Sequence, residues 1–290
     1  MTEKELTNRK FYRAGEETRF AEGGPERTPQ TAHPAYKLAF RDTDFLLRDE
    51  LRPVRFQLEL LKPEMLLDEA RVGSTLVMYG SARIPSPAQA EARLEAAKQG
   101  SEYDQKVAQR LAEKAKYYDE AYKLARLVSE KGLIENGLRQ FVVTTGGGPS
   151  IMEAGNRGAS DAGSESIGLN IVLPHEQAPN PYVTPYLSFQ FHYFALRKMH
   201  FLLRARAVAV FPGGFGTFDE FFELLTLVQT GKIKKMPILL FGKDFWNRVV
   251  NFEELMLEGV ISPPDLELFR FVETADEAWA AICDFYEVAV

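Results

Sequence analysis

The sequence predicts an α/β fold in which a doubly wound, mostly parallel sheet is covered by helices on both faces. Short apolar stretches typical of strands alternate along the chain with amphipathic stretches typical of helices. Such alternation implies βαβ units, whose strands run parallel. Three of the predicted strands end in glycine-marked loops, at the edge where open α/β sheets bind ligands. With 290 residues, 45% of them hydrophobic, the chain is long enough for one large domain plus an extension.

The N-terminal region differs in character from the rest of the chain. Residues 1–35 are polar and include a stretch rich in glycine and proline, which predicts a flexible arm. From about residue 42 to 70, leucine and valine recur at spacings of three and four, which predicts a helix with one apolar face. That face comprises Leu47, Leu51, Val54, Leu58 and Leu61. Pro53 and Pro63 are expected to break or bend the helix.

The organised domain is expected over residues 73–290, after an N-terminal arm and helical extension over 1–72. Its apolar stretches predict seven strands, at residues 74–80, 140–148, 166–174, 186–191, 207–214, 237–242 and 266–272. The stretches between them predict helices, at residues 101–131, 149–163, 217–230, 244–258 and 274–288. Gly132 is expected to end the longest of these as a C-terminal cap.

Composition disfavours several classes of protein. The net charge of −6 and the pI near 5.5 give no basic surface for nucleic acid. No stretch approaches the ~18 apolar residues that a membrane span requires, and the charged N-terminus is unlike a signal peptide. A single cysteine, Cys283, forms no internal disulfide and is expected to pack in the last helix. We therefore expect a cytoplasmic protein with neither nucleic-acid nor membrane partners.

Three loops are candidates for one ligand site at the carboxyl edge of the sheet. They are residues 80–83 (GSAR), 146–148 (GGG) and 213–217 (GGFGT). The third loop opens a helix, whose first N–H groups and positive dipole end favour an anion such as phosphate. Thr217 is expected to cap this helix and to donate its hydroxyl to the phosphate. The alternative is a strand–helix turn that needs glycines only for packing. The usual dinucleotide and ATP-binding glycine motifs are absent.

Acidic and basic residues flank this loop. Asp219, Glu220 and Glu223 fall in the first two turns of the helix, where acids also favour the helix dipole without further function. Glu220 lies three residues after Thr217, which is the spacing of a capping box. A carboxylate beside a bound sugar phosphate would instead stabilise the positive charge that develops when a glycosidic bond breaks, or position a water.

The segment 191–206 supplies the cations. On a helix, Arg197 shares a face with His200 and Arg204, and arginine suits the binding of phosphate or of a charged leaving group. Solvated surface cations are the alternative. His200 is expected to pack or to hydrogen-bond rather than to catalyse. The histidines form no metal-ligand spacing with acids or with the cysteine, so no metal site is expected.

These motifs together resemble the LOG ("Lonely Guy") family, also catalogued as possible lysine decarboxylases. PGGFGTFDE (212–220) matches its P-G-G-x-G-T-x-x-E signature, and TTGGGPSIMEAGNRGA (144–159) is similar to its first glycine-rich block. LRKMH (196–200) and TLVQTGKIKKMPILLFG (226–242) are similar to the segments around the signature. The resemblance runs from about residue 73 to 286, apart from the helical stretch 101–131.

The resemblance implies a Rossmann-like fold and hydrolysis of the N-glycosidic bond of nucleoside 5′-monophosphates, either AMP or cytokinin riboside monophosphates. The products would be free base and ribose 5-phosphate, without a metal or organic cofactor. Glu220 and Arg197 would be the catalytic pair. The 5′-phosphate would be held by Gly213, Gly214, Gly216 and Thr217. The sugar and base would contact Ser81, Arg83, Gly147, Gly148, Met152 and Lys198. A homodimer or a larger homo-oligomer is also implied.

Two alternatives to this enzyme remain. A non-catalytic nucleotide sensor or carrier would use the same anion-binding loop. Lysine decarboxylation, suggested only by the catalogue description, would need pyridoxal phosphate on a lysine, and no lysine in the sequence stands out for that role.

Overall fold

The structure is a computed structural model that describes residues 11–24, 26–174 and 178–288. It contains two compact units, Met1–Leu58 and Glu59–Val290. The first ten residues of the predicted arm lie outside the described residues, and the domain division after residue 72 stays a prediction.

In its described residues the first unit contains short helices, among them three single 3-10 turns. Its α-helices are α1 (Ala14–Glu22), α2 (Pro29–Ala32), α3 (Thr43–Leu46) and the beginning of α4 (Arg52–Glu69). The helix predicted over 42–70 is confirmed as α3 and α4, with a 3-10 turn at Asp49–Leu51 between them. Pro53 lies in the first turn of α4, where no intrahelical N–H bond is lost. The break considered at Pro63 is wrong, because α4 continues through that residue.

The second unit is built on a seven-stranded parallel sheet. Its strands are β1 (Thr75–Tyr79), β4 (Val142–Thr145), β5 (Ile167–Ile171), β6 (Ser188–Phe191), β7 (Ala205–Val210), β8 (Ile238–Phe241) and β9 (Arg270–Val272). Each corresponds to one of the seven predicted strands. A small antiparallel hairpin, β2 (Ile134–Glu135) and β3 (Leu138–Arg139), was not predicted.

The order of the strands is that of a doubly wound sheet. It is β6-β5-β4-β1-β7-β8-β9, and every neighbouring pair is parallel. The first strand of the sheet, β1, lies at its centre. The strands β4, β5 and β6 follow in order towards one edge, and β7, β8 and β9 follow on the other side of β1. The predicted fold class is therefore confirmed. The carboxyl ends of β4, β1 and β7 meet at the point where the winding reverses, which is where such sheets bind ligands.

The helices of the second unit, after α4, are α5 (Pro87–Ala97), α6 (Glu102–Ala112), α7 (Lys116–Lys131), α8 (Ile151–Asp161), α9 (Phe194–Leu203), α10 (Phe215–Gln229), α11 (Lys243–Val249), α12 (Phe252–Leu257) and α13 (Ala275–Tyr286). Two stretches predicted as single helices are pairs instead, α6 with α7 and α11 with α12, and α5 was not predicted. Gly132 adopts the left-handed conformation, with φ of 54°, and ends α7 as predicted.

Helices cover both faces of the sheet. Leu76 and Met78 of β1 belong to a buried core that also contains residues of α7, α8 and α13. Because side chains alternate along a strand, Tyr79 points to the opposite face, where its ring packs against Phe201 of α9 with centroids 5.0 Å apart. Cys283 is buried in α13, as expected.

Candidate active site

A cavity of about 690 Å³ lies where the loops after β1, β4 and β7 meet. It is lined by Met78, Tyr79, Gly80, Ser81, Ala82, Arg83, Gly146, Met152, Phe194, Arg197, Phe201, Gly214, Phe215, Gly216, Thr217, Phe218, Asp219 and Glu220. Residues of all three glycine-marked loops therefore border one cavity, and that this cavity is a ligand site stays a prediction.

The N-terminus of α10 is the candidate anion-binding part of this cavity. Helix geometry leaves the N–H groups of Phe215, Gly216 and Thr217 without intrahelical partners. A Cβ at Gly214 or Gly216 would meet no atom within 4 Å, so the backbone there is open to a close ligand. Gly213 is different, because a Cβ there would lie 2.1 Å from Oγ1 of Thr217. Gly213 thus serves packing within the loop, whereas the other two glycines leave the helix end accessible.

Two details of the predicted helix start are wrong. α10 begins at Phe215 with Gly214 as N-cap, so Thr217 is the third residue of the helix rather than its cap. Glu220 is therefore the sixth residue, beyond the reach of a capping box, which joins the N-cap to the third residue. The capping explanation of Glu220 is thereby excluded, and its burial needs another reason.

Buried asparagine side chains contact and support the loop after β4. Asn180 Nδ2 donates to the carbonyls of Gly147 and Gly148, at 3.2 Å and 3.0 Å. Gly147 has φ of +72°, and a Cβ there would lie 2.2 Å from Asn170 Oδ1. These glycines shape the loop from outside the cavity, while their neighbour Gly146 lines it.

The loop after β1 is hydrogen-bonded to the loop before α10, which is the candidate for binding phosphate. Ser81 N–H donates to the carbonyl of Pro212 at 3.1 Å, and the Ser81 hydroxyl accepts from Arg83 N–H at 3.0 Å. Ser81 and Arg83 both line the cavity.

Arg197 enters the cavity from α9. Its Nε donates to the carbonyl of Leu169 at 2.7 Å, and its guanidinium carbon lies 5.2 Å from the ring centroid of Phe201. A Cβ at Gly146 would lie 2.7 Å from an Arg197 guanidinium nitrogen, so only glycine leaves room for it there. His200 and Arg204 do not line the cavity; both form hydrogen bonds with residues of α4. His200 is buried and hydrogen-bonded, as expected.

Glu220 is a buried carboxyl group, 8% exposed, that lines the cavity. Burial raises its pKa from 4.5 to about 7, although the positive charges of Lys198 and Arg197 act in the opposite direction. The acidic neighbours Glu223 and Asp219 raise the pKa further. A pKa near the working pH is typical of carboxyl groups that take part in catalysis.

Lys198 joins the two helices that carry the candidate catalytic pair. Its Nζ lies 2.9 Å from Asp219 Oδ1 and 2.9 Å from Glu223 Oε2. Asp219, which we considered as a solvated acid, is therefore ion-paired while its side chain remains 61% exposed. Lys198 does not line the cavity, and its predicted contact with sugar or base stays a prediction.

Of the predicted site residues, the structure brings eight to the cavity wall and leaves four behind it. Those at the wall are Ser81, Arg83, Met152, Arg197, Gly214, Gly216, Thr217 and Glu220. Those behind it are Gly147, Gly148, Gly213 and Lys198. No ligand contact is defined for either group, so their roles remain predictions.

Sequence reasoning missed the aromatic residues of the cavity. Phe194 lies three residues before Arg197, a helical spacing that places both on one face of α9. Phe215, 97% exposed, stands at the first position of α10. Tyr79 ends β1, and its buried hydroxyl has no hydrogen-bond partner in the described residues. Its position before GSAR was the available signal.

Other ligand classes find little support in the described residues. Among them there is no cluster of three or more His, Cys, Asp or Glu side chains suited to a metal ion. No helix in this part of the chain combines the length and apolar character of a membrane span. No lysine is found among the described residues that line the cavity.

A family model described as "Possible lysine decarboxylase" matches residues 152–282, which include α9, α10 and the cavity residues that they carry. In this region the chain is similar to the LOG family. "Cytokinin riboside 5′-monophosphate phosphoribohydrolase LOG" of Oryza sativa subsp. japonica is 29% identical over 168 residues, covering 57% of this chain and 65% of the relative. LOG3 of Arabidopsis thaliana, of the same description, is 28% identical over 140 residues, covering 47% and 63%. The chain thus spans slightly less than two thirds of these relatives.

Two solved structures are distantly similar. The X-ray structure of TM1055 is 20% identical with a TM-score of 0.47, covering 73% of this chain and 99% of that one. The Moco carrier protein from Chlamydomonas reinhardtii is 16% identical with a TM-score of 0.42, covering 74% and 98%. Both are too distant to bear on function.

Proposed function

We propose that this protein is a member of the LOG family and hydrolyses the N-glycosidic bond of nucleoside 5′-monophosphates, AMP and/or cytokinin riboside 5′-monophosphates, to free base and ribose 5-phosphate. The observation that carries the proposal is the buried Glu220, with its pKa of about 7, in the same cavity wall as Arg197 and the open end of α10. The relatives described as phosphoribohydrolases support the reaction type.

The phosphate is assigned to the start of α10. Unpaired N–H groups, the positive end of the helix dipole and two open glycines favour an anion there. Glu220 follows five residues after Phe215, about 7.5 Å further along the helix at 1.5 Å per residue. A sugar attached to the phosphate extends over that distance, which brings its anomeric carbon towards the carboxyl group.

The carboxylate then acts on the charge that develops in the sugar. As the bond between C1′ and the base nitrogen breaks, its electron pair leaves with the base, and C1′ becomes positive. Ionised Glu220 stabilises this positive charge and accepts a proton from the water whose oxygen bonds to C1′. The departing base takes up a proton from solvent, and Glu220 releases its own to solvent, so the proton count balances. Arg197 stabilises the negative charge on the departing base or orients the phosphate. Because Glu220 is buried, these charges interact in a medium of lower polarity than water, which strengthens the effect.

The test is product analysis with the purified full chain. AMP, GMP, CMP and a cytokinin riboside monophosphate are incubated separately, and free base is measured by chromatography. We expect base release by the unchanged protein and its loss in Glu220→Gln. Glu253→Gln is the matched control, since it makes the same change at an exposed position of α12, outside the cavity wall. Nucleotide binding with no base released from any substrate would refute the enzyme and favour the sensor or carrier.

A further inference from the structure

α9, which carries Arg197, begins without a cap of its own. Its N-cap residue Tyr193 makes no side-chain capping bond. The carboxylate of Glu59, from α4, takes that place: Oε1 accepts from His192 N–H at 2.9 Å, and Oε2 accepts from Tyr193 N–H at 3.2 Å. A negative charge at this end also interacts favourably with the helix dipole. One side chain from the N-terminal extension thus acts as the glutamate of a capping box does, by accepting from the N–H of the N-cap residue.

The backbone of Glu59 makes a second contact with α9, and Pro63 is the reason that it can. Proline has no N–H, so the carbonyl four residues earlier, that of Glu59, loses its intrahelical partner. His200 Nε2 lies 3.1 Å from this carbonyl oxygen. Since a carbonyl only accepts, the Nε2–H of His200 is the donor. Pro63, which looked like a helix breaker in the sequence, therefore provides a binding point for α9.

The C-terminal end of α9 is held by the same helix. Arg204, its C-cap residue, lies 2.9 Å from Glu64 Oε2 and 2.7 Å from Asp68 Oδ1. Contacts at the start, the middle and the end of α9 all come from residues 59–68 of α4. None of the α4 residues that make these contacts lines the cavity, whereas Arg197 does.

We propose that Glu59 is a positioning residue for Arg197, and that residues 59–68 of α4 act as a brace for α9. This inference rests on the proposed function, because it assigns Arg197 a part in catalysis. Arg197 is the fourth residue of α9 and its N–H bonds to the carbonyl of Tyr193 at 3.1 Å, so its first turn is the one that Glu59 caps. Loss of the cap frays this turn and moves the guanidinium relative to Glu220.

The kinetic test separates a positioning role from a general effect on stability. Glu59→Ala is expected to lower kcat about 10-fold with KM changed less than about 2-fold, since small displacements of a catalytic group cost rate more than binding. Glu59→Gln retains a carbonyl acceptor and is expected to lose less activity than Glu59→Ala. Glu69→Ala is the control: it makes the same change at an exposed position of α4 and is expected to behave as the unchanged protein.

A double-mutant cycle with Arg197→Ala decides the mechanism. If Glu59 acts through Arg197, then Glu59→Ala lowers kcat in the native background and has little further effect when Arg197 is already absent. An equal factor in both backgrounds overturns the proposal, because it shows that Glu59 acts independently of Arg197.

Hydrogen exchange provides a measurement that does not depend on activity. The amide protons of His192 and Tyr193 are expected to exchange faster in Glu59→Ala than in the unchanged protein or in Glu69→Ala. Unchanged exchange at both amides would overturn the brace. Failure of the unchanged protein to release any base would overturn the proposed function and the catalytic part of this inference, while the exchange rates still decide whether Glu59 holds α9.

Discussion

Replacing Glu220 by glutamine should abolish hydrolysis and yet make the protein more stable at neutral and alkaline pH. The carboxyl group is 8% exposed, and its surroundings favour the neutral form even though Lys198 and Arg197 are nearby. Glutamine has nearly the same shape and carries no charge at any pH. The substitution therefore removes the free energy that burying an ionised carboxylate costs, together with the catalytic charge.

The magnitude follows from the two pKa values. The pKa of Glu220 is raised from 4.5 to about 7 on folding. Since one pKa unit corresponds to about 1.4 kcal/mol, ionised Glu220 costs the folded protein about 3 kcal/mol. A cost of this size is a substantial part of the stability of an ordinary domain.

The direction of the pKa shift determines the pH range in which Glu220 lowers the stability of the native protein. Below pH 4.5 the carboxyl group is neutral in both the folded and the unfolded chain, so it costs nothing. As pH rises from 4.5 to about 7, the unfolded chain loses the proton while the folded chain keeps it, and the stability of the native protein declines. Above about pH 7 the full cost is present. The free energy of unfolding of Glu220→Gln, relative to that of the native protein, should thus increase by about 2–3 kcal/mol as pH rises from about 5 to about 8.

Denaturant unfolding of both proteins at several pH values measures this difference. Glu253→Gln is a suitable control, since this side chain is exposed and its surroundings change little on unfolding. Its difference from the native protein should vary little with pH. A Glu220→Gln difference that is constant with pH, or that grows towards acid, would refute the reasoning, because it would show that folding does not raise the pKa of Glu220.

Three further outcomes are expected. The kcat/KM for base release should fall about tenfold per pH unit below about pH 7, as Glu220 becomes protonated. Lys198→Met should move the midpoint of this pH profile upward, because it removes a positive charge that favours the carboxylate. An unmoved midpoint would contradict that role of Lys198. Gly213→Ala should raise KM strongly, because the new methyl group would collide with Thr217 and displace the anion-binding turn; unchanged KM in steady-state assays would argue against this. Tyr79→Phe should raise the free energy of unfolding by about 1 kcal/mol, since the hydroxyl that it removes is buried without a hydrogen-bond partner in the described residues. A clear loss of stability in denaturant unfolding would contradict this, because it would indicate that the hydroxyl has a partner.

Local sequence patterns were sufficient for the sheet and for the place of the site. Stretches such as 74–80 and 207–214 are apolar over the length of a strand and end in glycines, and each became a central strand. Alternation with helices then made the strands parallel and brought their carboxyl ends to one edge. Patterns were weaker at helix boundaries. The stretch 101–131 contains two helices, and nothing in its periodicity marked the turn between α6 and α7.

Long-range contacts decided the features on which the chemistry depends. Glu220 occupies a position in the sequence where an acid simply complements the helix dipole. Its pKa of about 7 results from burial by surrounding elements that are distant along the chain. Pro63 similarly looked like a breaker, but the carbonyl that it frees is bound by His200, 137 residues further along the chain by their numbers.

The sequence by itself thus determined the α/β class, the order of alternating elements, and the glycine loop with Glu220 and Arg197 as the residues to examine. It did so because strand and helix periodicity, glycine turns and charge at a helix start are local properties of the chain. Only the tertiary structure decided which predicted residues reach the cavity, how strongly Glu220 holds its proton, and that α4 binds the helix of Arg197. These properties depend on desolvation and on hydrogen bonds between residues far apart along the chain, which arise only when the elements pack together.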